Sequence, residues 1–139
     1  MLNWKKKYFG NKVRGVESMI LDLEFKRFKT QEIREEVRVE YDNLKNKLAL
    51  LETQIKQQKE NPTMEKGDIA RLDDQKVLIE RDMERFLNQI KSLDLEVNGS
   101  KPTNDYPDGV SGITQQLESL RELKDMLKEC IKQGLWKNW

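Results

Sequence analysis

Residues 33–55, IREEVRVEYDNLKNKLALLETQI, decide the fold. Ile33, Val37, Tyr41, Leu44, Leu48, Leu51 and Ile55 follow one another at steps of 4, 4, 3, 4, 3 and 4, which places them on one narrow stripe of an α-helix. Charged and amide side chains fill the other faces. So thin an apolar stripe is a coiled-coil seam, and it is stable only with another helix laid along it.

Working outward, no Gly or Pro interrupts the chain from Val16 to Glu60, so the helix is predicted to cover that whole stretch. Asp22 with Lys26, and Glu52 with Lys56, are acid-before-base pairs one turn apart that support exposed helix faces. Asn61-Pro62-Thr63 ends the helix, and Gly67-Asp68 offers a second start with Asp68 as N-cap. A connection this short makes the next helix antiparallel to the first. That helix, to about Val97, carries Ile69, Leu72, Lys76, Ile79, Met83, Phe86, Ile90, Leu93 and Val97 at alternating steps of three and four. Leu78, Leu87 and Leu95 add a sparser stripe, which predicts contact with a third helix. The third helix is read from Ile113, Leu117, Leu120, Leu127 and Ile131, with Leu123, Met126 and Cys130 beside them and Gly134 as its stop.

The expected fold is therefore all-α and elongated: a long antiparallel coiled-coil helical hairpin over residues 16–97, a loop over 98–112, and a third, shorter helix with a Trp-rich tail over 113–139. A basic, aromatic tail, residues 1–15, precedes them, and Gly10, Asn11 and Gly15 argue against a continuous helix there. In the loop, Tyr106-Pro107-Asp108-Gly109 reads as a tight turn, with Tyr106 as the anchor to the bundle. A hairpin closed at Pro62 lets the second helix reach back only to about residue 27 of the first. With the third helix read as parallel to the first, residues 16–28 are expected to project. Their apolar side chains step out of register with Ile33, so Met19, Ile20, Leu23, Phe25 and Phe28, together with Trp136 and Trp139, form the expected partner or oligomer interface.

Composition agrees with long helices. Hydrophobic residues make up 36% and charged residues 37%, against roughly 45–50% and 25% in average globular domains. Disorder would give similar values but has no reason to repeat Leu and Ile at helical spacing. No apolar run approaches the roughly 20 residues of a membrane span, and no secretory signal is evident, so the expectation is a soluble, cytoplasmic protein, within a large particle or at a membrane surface. The single Cys130 forms no internal disulfide and reads as a half-buried helix residue.

Charge is distributed unevenly. Lys5, Lys6, Lys7, Lys12 and Arg14 give the first fifteen residues +5 with no acid, which leaves 21 basic and 25 acidic residues, or −4, for the rest. Trp4, Tyr8 and Phe9 lie among these cations. Such a segment suits an anionic membrane or a nucleic-acid backbone, and equally suits packing of its rings on protein.

The chemistry for catalysis is sparse. The chain has no His, so a general base near neutral pH and an E-x-x-H metal-ligand set are both missing. Asp73-Asp74 reads as a solvated helix face, and no Gly-rich phosphate loop is present. No catalytic residue, cofactor, metal or small-molecule substrate is expected. The leading reading is a non-enzymatic structural or interaction protein, a coiled-coil subunit that oligomerises or docks into a larger assembly as scaffold, adaptor or viral-particle-type component. One alternative is a membrane-surface or nucleic-acid adaptor acting through Trp4, Lys5, Lys6, Lys7, Tyr8, Phe9, Lys12 and Arg14. Another is an oligomeric, sponge-type small-ligand binder with Lys101, Tyr106 or Trp136 at a shared pocket.

Overall fold

The computed structural model describes residues 2–134 and is all-α: α1 is Leu2–Glu60, α2 Lys66–Asn98 and α3 Ile113–Lys132. The chain divides into two units, Glu32–Leu93 and Met1–Gln31 with Asp94–Trp139.

Glu32–Leu93 is the antiparallel hairpin that the seams predict. Leu51 and Ile55 of α1 are buried, and Ile69, Leu72, Ile79, Met83, Phe86, Ile90 and Leu93 of α2 are half-buried. Lys76, the polar member of the α2 seam, reaches Glu52 across the hairpin at 3.7 Å and Glu80 along its own helix at 3.9 Å. At the bend, Gln58 Oε1 accepts hydrogen bonds from the backbone N–H groups of Thr63 and Met64 at 3.0 and 3.1 Å. These replace the helical partners that the chain loses at Pro62. Asp68 is not the N-cap: α2 starts at Lys66, and Asp68 lies in its first turn, where its carboxylate pairs with Arg71. Leu78 and Leu87 are exposed, so the third-helix contact expected of them is not made among the described residues.

In the other unit, α1 runs without a break from Leu2, through Gly10, Asn11 and Gly15. The tail expected over residues 1–15 is thus helical among its described residues. Two glycines cost a helix only about 1 kcal/mol each. The apolar residues Val13, Val16 and Ile20 that follow are buried, and this docked stretch holds the helix.

Packing along α1 explains more than the sequence reading did. From Val13 to Gln58, every residue at alternating steps of three and four is buried or half-buried: Val13, Val16, Ile20, Leu23, Arg27, Thr30, Arg34, Val37, Tyr41 and on through Leu44, Leu48, Leu51 and Ile55. The residues between are exposed except Glu17 and Glu24. The seam therefore does not begin at Ile33, which is exposed, and there is no register break. Arg27, Thr30 and Arg34 carry it through a polar stretch.

Residues 16–28 do not project uncovered, because α3 lies along them. Val16, Ile20, Ile113 and Leu117 form a buried cluster, with Leu23, Leu120 and Leu127 packed against it. Each such side chain contributes about 1.5–3 kcal/mol when fully removed from water. The ion pairs fix the direction: Glu24 meets Arg121 at 2.9 Å, and Glu17 meets Lys124 and Lys128 at 3.7 and 3.8 Å. As α1 numbers fall, α3 numbers rise, so α3 is antiparallel to α1 and not parallel as expected. In this arrangement three cations of α3 stand against two carboxylates of α1.

The loop makes this direction feasible. It leaves and re-enters at one point: Ser100 and Val110 exchange backbone hydrogen bonds at 2.8 and 3.1 Å, and Gln115 accepts from the Gly112 N–H while donating to the Asn98 carbonyl. A Cβ on Gly112 would stand 2.3 Å from the Gly99 nitrogen, and Gly99 itself has φ +67°. Only glycine lets the two strands approach so closely. The loop is an excursion, and α3 resumes the direction of α2. The tight turn occurs, with Gly109 N–H donating to the Tyr106 carbonyl at 2.9 Å, but Tyr106 is 47% exposed and not the buried anchor expected.

Candidate interaction surface

The interface expected at Met19, Ile20, Leu23, Phe25 and Phe28 splits in two. Ile20 and Leu23 belong to the internal packing with α3. Met19, Phe25 and Phe28 remain outside, joined by Leu21. Trp136 and Trp139 lie outside the described residues.

Helical geometry explains the split. On a 3.5-residue repeat the seam takes the first and fourth positions, and the second and sixth point away from it. Leu21 and Phe28 occupy the second position and Phe25 the sixth, so the three form a stripe opposite the seam. They are 65%, 62% and 63% exposed. The Lys29 ammonium lies 5.6 Å from the Phe25 ring centre and frames the stripe with charge. Met19 stands to one side. On α3, Leu123 and Met126 are exposed as well. The sequence signal for the correct patch was present: Leu21, Phe25 and Phe28 are spaced four and three, a second stripe one to two residues out of phase with Ile20, Leu23 and Arg27.

The segment Trp4–Arg14 presents a different surface. Trp4 and Tyr8, one turn apart, are exposed, with Phe9 half-buried. Lys5 and Lys12 place their ammonium groups 5.9 Å from the Trp4 ring and 5.4 Å from the Tyr8 ring. The structure thus brings the rings and cations singled out in the sequence onto one helix, in the unit that also holds the Phe25 stripe.

Elsewhere among the described residues, two shallow depressions open to solvent. A shallow depression on α2, lined by Arg81, Glu84, Arg85, Asn88, Gln89 and Ser92, lies open to solvent. Another, lined by Leu23, Ser111, Gln115, Gln116, Ser119 and Leu120, runs beside the α1–α3 contact. Lys101 and Tyr106, named for the ligand-binding alternative, are both exposed on the loop. Among the described residues no three His, Cys, Asp or Glu side chains cluster in a metal-binding arrangement, and no helix is long and apolar enough to cross a membrane.

Comparison of the chain with protein-family models, curated proteins and solved structures returns no match. The fold and the surface define the class: an all-α protein built on a coiled-coil helical hairpin with a third helix.

Proposed function

We propose that the protein is a non-enzymatic structural subunit that self-associates through the outer face of α1. The observation that carries this reading is the Leu21–Phe25–Phe28 stripe, three large apolar side chains in water on a helix whose other apolar stripe is already buried. Two copies can set these stripes against each other about a two-fold axis, since the spacing is that of a coiled-coil seam. The lack of histidine and the shallow surface depressions support the non-enzymatic part of the reading.

Size sets the strength. Large apolar side chains bury about 150–250 Å² each when fully covered, so three of them some two-thirds exposed supply roughly 350–400 Å² per copy. A pair then buries about 750 Å² through the stripe alone, below the ~1,200 Å² of a stable specific interface. Association is therefore expected to be weak, and it is strengthened where Met19 and the flanking charges join. Sedimentation equilibrium tests it. The chain should shift from monomer to oligomer with concentration, and Phe25→Ser with Phe28→Ser should stay monomeric at unchanged helicity. A monomer at every concentration, with no binding of a hydrophobic dye, contradicts the proposal.

A further inference from the structure

The self-association above uses residues 21–28 and leaves the first turns of α1 unassigned. These turns carry Lys5, Lys6, Lys7, Lys12 and Arg14 with no carboxylate before Glu17. Glu17 is itself turned to α3, where Lys124 and Lys128 hold it.

The helix also determines what lies between the cations. Val13 and Val16 face the bundle, while Trp4 and Tyr8 stand 55% and 40% exposed one turn apart. With the ammonium groups of Lys5 and Lys12 over their rings, apolar and cationic groups share one surface. We infer that residues 4–14 dock on an anionic lipid bilayer surface, with Trp4 and Tyr8 at headgroup depth and Lys5, Lys7, Lys12 and Arg14 beside them on lipid phosphates and carboxylates.

Two features favour lipid over a nucleic-acid duplex. A duplex backbone takes cations but has no place for exposed rings, whereas a bilayer interface takes both: the bodies of Trp and Tyr enter the apolar boundary and their N–H and O–H stay wet. Lys5 with Lys12, and Lys7 with Arg14, stand seven residues apart and form two rows of charge that flank the Trp4–Tyr8 face. A plane of anionic headgroups meets both rows and the rings between them. The apolar contribution is small, only two rings, so attachment depends on both signals and is reversible.

Co-sedimentation of the full chain with vesicles tests the inference. Binding is expected to vesicles containing about 30 mol% phosphatidylserine and to be lost on neutral phosphatidylcholine. Lys5→Gln with Lys7→Gln and Lys12→Gln should weaken it roughly 100-fold, from a factor of about five per cation near the surface. Trp4→Ala with Tyr8→Ala should weaken it roughly tenfold or more with the charge unchanged. These positions lie outside the Val16–Leu117 cluster, so circular dichroism should report the same helicity in all variants. Failure to bind anionic vesicles overturns the inference. So does vesicle binding indifferent to the loss of both rings, or a preference for an oligonucleotide over anionic vesicles at matched salt. The Phe25→Ser, Phe28→Ser variant separates the two proposals, since it should lose self-association and still partition to anionic vesicles.

Discussion

Replacing Leu117 with alanine tests the packing of α3 most sharply. Leu117 is fully buried and belongs to the cluster with Val16, Ile20 and Ile113, in a unit with few buried side chains to compensate. Truncation removes the transfer free energy of the side chain and leaves a cavity, a combined loss of about 2–5 kcal/mol for buried leucines. The middle of that range, about 3 kcal/mol, is expected, because half-buried Leu120 and Leu23 can close part of the gap. Leu123, six residues on and exposed, supplies the control: its truncation should cost under about 0.5 kcal/mol. Urea denaturation followed by circular dichroism reads both. Equal small losses for the two leucines would show that α3 does not bury its seam on α1, and the reasoning would be wrong.

Four further predictions rest on particular positions. Gly10→Ala and Gly15→Ala should each stabilise by roughly 0.5–1 kcal/mol, since an added methyl meets nothing within 4 Å and alanine is the better helix former. Gly112→Ala should instead destabilise by more than about 2 kcal/mol, with its new carbon forced against the backbone at Gly99 and Asn98; thermal melts of the three variants give the signs. Lys76→Leu should raise stability by about 1 kcal/mol, because a half-exposed ion pair contributes less than an apolar residue at a seam position, and a lower melting temperature would contradict this. Arg121→Ala should cost at most about 1 kcal/mol, and the difference should shrink in high salt, despite the 2.9 Å contact with Glu24.

Much of the fold was legible in the sequence, and the failures share a cause. The α2 seam is unambiguous because its one polar member, Lys76, sits between Leu72 and Ile79. On α1 the seam passes through Arg27, Thr30 and Arg34, while Phe25, Phe28 and Ile33 lie off it. Reading hydrophobicity alone exchanges the two sets. Burial of Thr30 and half-burial of the arginines' long stems are decided by the neighbouring helix, not by their own chemistry. The direction of α3 was hidden for another reason. A fifteen-residue connection looks long enough to reverse the chain, and only the contact of Gly99 with Gly112 shows that its ends coincide. As for the surface, an apolar patch near residue 25 was foreseeable, but which of its residues stay outside depended on α3.

The self-association proposal rests on the antiparallel docking of α3 on the first half of α1, which uses up Val16, Ile20 and Leu23 and leaves Leu21, Phe25 and Phe28 outside. Spin-label distances measure that docking directly. With Cys130→Ser as background, labels at Ser18 and Glu129 should lie close, near the limit of adjacent helices, and labels at Gln31 and Glu129 should lie about 15–20 Å farther apart, from the ~1.5 Å rise per residue along α1. The reverse order of the two distances would place α3 parallel to α1 and contradict the account.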